Sequence, residues 1–264
     1  MSWYRWPVVA LAALAWPVAI ATAETDPEML RQEASGGAEA SNPTAAINFQ
    51  DARYRYFNLR RGALKHSFET EGAYVPHPRF KITNELRGVR TNSTGEWKAD
   101  FEQLNLKGIF LTDGRPLGIK AKYAVGLEWQ KDLGDVERGT GRGADVLAPI
   151  LGIGWVPTET DFVITLVQYF QSYRTEGGVA EVQDVGPRLI WIRKLPAIGG
   201  WTKVDYKAVI DAKADGEFSS TLELQLGKMF TPRIGVYGEL LVGNAVLHID
   251  AYDAGVGAAL RVLY

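Results

Sequence analysis

Residues 254–264 read AGVGAALRVLY, and they carry the clearest structural signal in the chain. Counting back from the terminal Tyr264 in steps of two gives a row of apolar residues: Val262, Leu260, Ala258, Val256 and Ala254. Leu263 and Arg261 are among the residues that lie between them. A period of two residues predicts a β-strand with one apolar face. In a soluble protein, an apolar strand that ends on an exposed aromatic residue would promote aggregation. In a transmembrane β-barrel, the apolar face contacts lipid and the aromatic residue lies at the bilayer interface.

Residues 1–23 have the three parts of a secretory signal peptide. Arg5 supplies the positive charge, residues 7–20 form an apolar stretch, and Ala21-Thr22-Ala23 matches a cleavage site. A transmembrane anchor is the alternative, but the apolar stretch is short for a span and is interrupted by Pro17. We therefore expect an exported protein. No other stretch approaches the roughly 18 apolar residues of a membrane helix, which excludes an α-helical membrane protein.

The overall charge is nearly balanced, with 29 basic and 31 acidic residues and a formal net charge of −2. This balance disfavours a nucleic acid as the partner. The chain has 0 cysteines, so the fold must be stable in an oxidising compartment without disulfides. Without cysteine ligands or an HExxH motif, we predict no bound metal and no cofactor.

Residues 24–46 differ in composition from the rest of the chain, since Ala, Ser, Glu and Asn predominate. Asp26 and Pro27 predict the start of a short helix, and Gly36-Gly37 predicts its end. A plug inside a barrel is one possible role for this segment. Its low apolar content favours the other, a flexible periplasmic lead.

From Ile47 onward the period is two residues, which predicts an all-β domain over 47–264. Most of the predicted strands are longer than the roughly five or six residues usual in soluble sheets. They match the about nine to eleven residues that a tilted membrane strand needs. The predicted strands are 48–59, 66–76, 80–90, 97–111, 118–130, 145–156, 162–174, 184–195, 201–212, 217–229, 233–243 and 252–264.

The connections between these strands distinguish a barrel from a soluble sandwich, because their type alternates along the chain. The even-numbered connections are short and contain proline: 76–78, 113–116, 157–160, 196–200 and 231–233. The odd-numbered ones lack proline and are mostly longer or more polar: 60–65, 91–96, 131–144, 175–183, 213–216 and 244–251. An up-and-down antiparallel transmembrane β-barrel has this arrangement, with tight periplasmic turns and longer external loops. A Greek-key sandwich has no reason to separate the two types.

Four segments resemble those of Gram-negative outer-membrane β-barrels: NPTAAINFQDARYRYFNL at 42–59, VGLEW at 125–129, LQLGKMF at 224–230 and GVGAALRVLY at 255–264. In particular, the chain resembles a small transporter-like family that is often grouped with barrels encoded beside phenol-degradation pathways. The resemblance implies an outer-membrane location and contact with outer-membrane lipids. It also implies that Leu260, Val262 and Tyr264 form a signal read by the outer-membrane assembly machinery.

If the apolar residues face outward, charged residues on the first five strands face the lumen. These candidate solute-binding residues are Asp51, Arg53, Arg55, Glu69, Glu71, Lys81, Glu85, Arg87, Lys120, Lys122 and Glu128. They would either shape the electrostatic field for a passing solute or pair across strands and fill the interior. The sequence leaves both possibilities open.

The sixth and seventh strands are apolar on both faces, which predicts an apolar sector inside the barrel. Trp155 is the candidate lumen-facing residue of this sector, and such a wall would suit an amphiphilic or aromatic solute. Alternatively, the sector packs against an interior loop or the N-terminal segment.

These features predict a passive channel or transporter for an unknown small solute. One alternative is an occluded barrel whose loops 131–144 and 175–183 serve adhesion or wall integrity. Another is a lipid hydrolase, but His66 and Ser67 are adjacent and so point to opposite faces of a strand. We therefore do not expect an enzyme.

Overall fold

A computed structural model describes residues 27–59, 62–213, 218–244 and 252–264. The predicted signal peptide at 1–23 lies outside these residues. The described chain contains an α-helix followed by β-strands: α1 (Pro27–Ala40), β1 (Phe49–Leu59), β2 (Leu64–His77), β3 (Phe80–Thr91), β4 (Lys98–Gly114), β5 (Ala121–Asp132), β6 (Ala144–Trp155), β7 (Asp161–Thr175), β8 (Gln183–Leu195), β9 (Gly200–Asp211), β10 (Phe218–Met229), β11 (Ile234–Asn244) and β12 (Tyr252–Leu263).

The strands form a closed antiparallel barrel in which each strand pairs with its neighbours in the chain. β12 closes the cylinder by pairing with β1, in a register that runs from Leu263 opposite Phe49 to Tyr252 opposite Leu59. The predicted up-and-down barrel is therefore confirmed. The even number of strands places β1 and β12 so that both termini of the barrel lie at one end.

We call the end that carries the short proline-containing connections the turn end, and the opposite end the loop end. The predicted strand boundaries differ from the observed ones by at most a few residues. At β5, a 3₁₀ turn at Pro116–Gly118 delays the strand start to Ala121. A second 3₁₀ turn begins at Pro196, at the end of β8. Proline lacks a backbone N–H donor, which explains why the strands stop at these positions.

The outer surface of the barrel is apolar, as expected for strands that cross a membrane. Phe68 is 62% exposed, and Leu226 and Leu151 are 60% and 58% exposed. On β12, Leu260 belongs to the same outward-facing row. Among the described residues, no helix has the length and apolar character needed to cross a membrane.

Helix α1 lies inside the barrel at the turn end, where it packs against β8, β9 and β10. Its Ala34 and Ala38 are fully buried. The helix continues through Gly36-Gly37 instead of ending there. A Cβ atom at Gly37 would lie only 2.1 Å from the ring of Trp201, so glycine is what allows the helix to reach the wall. The prediction of a flexible lead is therefore wrong for this segment.

The residues after α1 continue across the lumen. Ser41 accepts a hydrogen bond from Arg261 of β12, at 2.7 Å. Three strands further around the barrel, Lys81 of β3 donates to the backbone carbonyl of Ala45 at 3.1 Å. Thr44 lies against Gly154 of β6. We call residues 27–46 the N-terminal plug, because they fill the turn end of the lumen and are bonded to strands on both sides.

Candidate functional site in the barrel lumen

A cavity of about 450 Å³ lies above the N-terminal plug. Ala40, Ser41 and Pro43 of the plug form its floor, and Phe170 and Tyr252 line it toward the loop end. Between floor and mouth the wall is mostly polar. This composition follows from the alternation of the strands, since the apolar residues face outward and the charged residues face inward.

Arg53 and Arg55 of β1 lie at the centre of the network of polar side chains on the cavity wall. Arg53 donates through Nη1 to Glu69 Oε2 at 3.1 Å and through Nη2 to Glu71 Oε2 at 2.6 Å. Its Nε donates to the hydroxyl of Tyr237 on β11, at 3.1 Å. Each carboxylate of this group is therefore matched by a guanidinium N–H donor, a geometry that gives short, charge-assisted bonds.

Arg55 reaches across β12 to strands that do not pair with β1. Its Nε donates to Glu239 Oε2 on β11 at 2.7 Å, and its Nη2 donates to Glu223 Oε2 on β10 at 3.0 Å. Gly257 of β12 makes this possible, because a Cβ there would lie 2.9 Å from Arg55 Cγ and from Glu239 Oε2. The glycine leaves room for a side chain that connects β1 to β10 and β11.

The ion pairs continue along the wall beyond Arg55. Lys203 of β9 pairs with Glu223 and lies 3.5 Å from Asp205 Oδ2. Arg188 of β8 binds Asp205 through Nε and Nη2, at 2.7 and 2.5 Å. The carboxylates of this part of the wall are thus already occupied by neighbouring cations.

On the other side of β1, the network extends to β3 and β4. Arg87 Nε lies 3.2 Å from Glu69 Oε1, and its Nη1 lies 3.5 Å from Glu102 Oε2. Lys65 Nζ donates to Glu102 Oε1 at 2.5 Å. A continuous set of ion pairs therefore covers the wall from β4 through β1 to β8. This is the cross-strand pairing that the sequence left open.

Several of the paired carboxylates lie deep in the wall. Glu69 and Asp205 are 1% exposed and Glu239 is 3% exposed, whereas the side chain of Arg188 is 21% exposed. Basic groups also outnumber acidic groups in the cavity lining: Arg53, Arg55, Lys65, Lys81, Arg87, Lys107, Arg142, Arg188, Lys203, Lys207 and Arg261 against Glu69, Glu71, Glu85, Glu128, Asp184 and Glu223. The surface that a solute meets is therefore predominantly cationic.

Arg142 enters the cavity from the connection between β5 and β6. Its Nη2 donates to Gln130 Oε1 at 2.8 Å, and its Nε donates to the carbonyl of Ala144 at 3.0 Å. The backbone N–H of Gly143 donates to Asp132 Oδ2 at 2.5 Å, which fixes the end of the loop. This external loop folds inward and adds a positive charge near the mouth of the lumen.

Most of the predicted lumen residues line this cavity: Arg53, Arg55, Glu69, Glu71, Lys81, Glu85, Arg87 and Glu128. Asp51 also points inward, but it is 0% exposed and bonded to Arg261 beneath the cavity. Lys122 lies on the inward-facing row of β5, below the cavity lining. Their involvement in solute binding remains a prediction.

Two predicted residues do not face the lumen. Lys120 precedes β5 and is exposed at the turn end, because the preceding 3₁₀ turn shortens the strand. Trp155 belongs to the outward-facing row of β6, together with Leu151. Its neighbour Gly154 faces the plug residue Thr44 inside the barrel, and successive strand residues point to opposite faces. The prediction of a lumen-facing tryptophan was wrong.

The β7 part of the apolar sector is explained by packing against the plug. Phe162 and Ile164 of β7 and Ile190 of β8 form one buried cluster with Trp201 of β9 and Ala38 of α1. Packing against the N-terminal segment is one of the alternatives that the sequence left open for this sector. These apolar residues therefore bind the N-terminal plug rather than forming a free apolar wall for a solute.

The charged residues of β8–β10 were missing from the predicted lumen set, although the signal was present. Lys203, Asp205 and Lys207 alternate with apolar residues just as the charges of β1 and β5 do. Arg142 had no such signal, because it lies in a loop and only the folding of that loop brings it into the cavity.

His66 and Ser67 point to opposite faces of β2. Ser67 Oγ donates to Glu69 Oε1 at 2.8 Å inside the barrel. His66 lies on the outside, where its Nδ1 is 2.6 Å from the hydroxyl of Tyr54. Within the described part of the chain, no group of three or more His, Asp or Glu side chains is arranged to hold a metal.

The fold is similar to that of solved outer-membrane channels. The NanC porin has a TM-score of 0.60 at 8% identity, with 82% of this chain and 98% of that chain covered. An outer-membrane channel of Pseudomonas putida F1 has a TM-score of 0.60 at 8% identity, with 83% and 96% covered. The KdgM porin has a TM-score of 0.52 at 7% identity, with 82% and 99% covered. At identities this low, the structural similarity shows that the fold is shared and shows nothing further. No protein-family model matches the chain, and no curated protein matches it in sequence.

Proposed function

We propose that this protein is a passive outer-membrane channel for a small solute. The observation that carries the proposal is a closed barrel with an apolar outer surface and a charged cavity of about 450 Å³ inside. This volume lies in the range of about 300–1,000 Å³ usual for small-molecule sites. The fold shared with porins and an outer-membrane channel supports the same function.

In this proposal the turn end faces the periplasm and the loop end faces the outside, as in other transmembrane β-barrels. The outward apolar rows contact outer-membrane lipids, and the outer-membrane assembly machinery inserts the exported chain. The solute enters at the loop end, reaches the cavity and moves down its concentration gradient. The N-terminal plug limits which solutes pass and how fast they pass.

An occluded structural or adhesion barrel is the second candidate, and the contacts between the external loops favour it. Arg138 Nη1 in the β5–β6 loop donates to Asp100 Oδ2 of β4 at 3.0 Å. In the same loop, Gly139 accepts a bond from Ser93 Oγ at 3.4 Å, and Gly143 accepts one from the N–H of Glu176 at 2.8 Å. These contacts hold three neighbouring loops together at the mouth of the barrel.

Reconstitution of the purified protein in planar lipid bilayers separates the two candidates. A channel gives discrete conductance steps, and their size rises when polymers too large to enter the lumen replace small non-electrolytes that enter it and lower the conductivity inside. A bilayer that stays silent while the inserted protein is shown to be folded supports the occluded barrel and contradicts the channel.

A further inference from the structure

Three polar side chains form a row across β8, β9 and β10 on the cavity wall. Arg188 lies directly opposite Lys207, and Lys207 lies directly opposite Thr221. All three line the cavity. Directly opposed residues in antiparallel strands have Cβ atoms about 4.5–5.5 Å apart, so one small group can contact all three side chains.

The carboxylate close to this row, that of Asp205, is already bonded to a cation. Asp205 accepts two bonds from Arg188, at 2.7 and 2.5 Å, and Lys203 lies 3.5 Å away. Lys207 forms no hydrogen bond or ion pair with any described residue. Two cations directly opposite each other destabilise a sheet, and the carboxylates that act on Lys207 at longer range, Asp205 and Glu223, are already paired with Arg188 and Lys203. An anion between them would remove this repulsion.

We propose that Arg188, Lys207 and Thr221 form a binding site for an oxyanion, the carboxylate or phosphate group of the solute. Lys207 supplies the unbalanced charge. Arg188 uses Nε and Nη2 for Asp205, which leaves its Nη1 donors for the ligand. The hydroxyl of Thr221 donates a third hydrogen bond. This assignment deepens the proposed channel function and rests on it, since the ligand is the transported solute.

The facing walls do not offer an equivalent site for a cation. Glu71 is bonded to Arg53 at 2.6 Å and Glu85 to Arg87 at 2.7 Å. Arg142 adds another positive group near the mouth. A carboxylate that is bonded to a guanidinium group contributes little net negative potential to the lumen, whereas Lys207 acts at the cavity surface.

The test compares Lys207→Gln, the charge-retaining Lys207→Arg, and the control Lys120→Gln in planar bilayers under a KCl gradient. Lys120 is an exposed lysine outside the cavity, so its variant removes the same charge elsewhere. The wild-type reversal potential should show preference for chloride. We expect Lys207→Gln to lower the chloride-to-potassium permeability ratio by about twofold or more, whereas Lys207→Arg should retain the chloride preference and Lys120→Gln should leave the ratio unchanged. Cation preference in the wild type, or equal ratios in Lys207→Gln and Lys120→Gln, overturns the proposal.

Equilibrium titration of the detergent-solubilised protein tests the site without conduction. Inorganic phosphate and acetate are the probes, and they distinguish a phosphate ligand from a carboxylate ligand. The isosteric Thr221→Val keeps all charges and should weaken binding of the preferred probe about tenfold, the usual effect of a hydrogen bond to a charged group. If bilayers are silent but one anion binds in this way, the channel proposal fails and the site stands. If neither anion binds the wild type, or Thr221→Val binds equally well, the site is wrong.

Discussion

At the scale of single residues, Arg261 connects the last strand, the first strand and the N-terminal plug. It donates to Asp51 through Nε at 2.9 Å and Nη2 at 2.6 Å. Its Nη1 donates to the carbonyl of Gly37 at 2.9 Å and to Ser41 Oγ at 2.7 Å. Arg261 is 2% exposed and Asp51 is 0% exposed, so each of these buried charges is stabilised by the other as its counter-charge.

Replacing Arg261 by Met should strongly destabilise the barrel, because it leaves the Asp51 carboxylate buried without a counter-charge and with only the Tyr237 hydroxyl as a hydrogen-bond donor. We expect the free energy of unfolding to fall by roughly 3–5 kcal/mol. Lys98→Met is the control, since Lys98 pairs with an exposed glutamate, Glu96, and should cost less than about 1 kcal/mol. Urea titration in detergent micelles measures both. Equal losses in the two variants would contradict the buried role of Arg261.

Gly36 and Gly37 offer a matched pair, because alanine raises helix propensity at both positions by about 1 kcal/mol. A Cβ at Gly37 would lie 2.1 Å from the rigid ring of Trp201, whereas at Gly36 it would meet the end of the flexible Leu263 side chain, at 2.9 Å. Gly37→Ala should therefore loosen the plug and Gly36→Ala should not. Protease cleavage between 27 and 46 in the folded protein measures the difference. Equal protection would show that the helix tolerates the added methyl group.

At the scale of elements, deletion of residues 27–46 should leave the barrel closed, since β1–β12 pair with one another around the whole cylinder. The deletion removes the floor of the cavity, and we expect a higher single-channel conductance than in the full mature chain. Gly36→Ala, which retains the plug, is the control. Heat-dependent migration on gels verifies that each variant is folded. A folded deletion variant with unchanged conductance would mean that the plug does not restrict the path.

The strands could be predicted from the sequence, and the plug could not. In a barrel strand, alternate residues face the lipid and the lumen, so apolar and polar residues alternate along the sequence. This alternation is enough to predict β1 and β12 without tertiary information. The plug is built mainly from small residues such as Ala34, Ala38 and Gly37, whose burial depends on close approach to Trp201. Low apolar content suggests disorder only when no partner surface exists, and here the partner is the wall itself.

The same distinction applies to the lumen. Alternation placed Arg53 and Glu69 inside, but it could not show which acidic groups are covered by cations. Trp155 was misplaced because strands that are apolar on both faces carry no period from which to read direction. Arg142 depends on the fold of a loop, which obeys no simple period.

At the scale of the whole molecule, closure makes the last strand dependent on the first. The residues of β12 from Ala254 to Val262 are paired with a strand on each side, β11 and β1. A closed barrel has no edge strand, which satisfies the backbone in a membrane and prevents edge-to-edge aggregation. The apolar end of the chain is therefore no hazard once the cylinder has closed.

Tyr264 follows β12 and contributes little to the closed barrel. It is 63% exposed, and its hydroxyl and backbone N–H donate only long bonds, both 3.4 Å, to Ala73 and Asn48. Deleting it should change the free energy of unfolding by no more than about 0.5 kcal/mol. We nevertheless expect fewer molecules in the outer membrane, because Leu260, Val262 and Tyr264 are proposed to form the signal for assembly.

Membrane fractionation and urea unfolding of the same variants test this prediction. Leu263→Ala is the contrasting variant, since Leu263 faces the interior and belongs to the buried cluster that contains Ala38 of the plug and Trp201. It should lower the free energy of unfolding by about 2–5 kcal/mol through loss of buried volume. The two variants thus separate recognition of the chain end from stability of the finished barrel. If the chain without Tyr264 reaches the outer membrane at the wild-type level, the last residue acts only as an interfacial side chain.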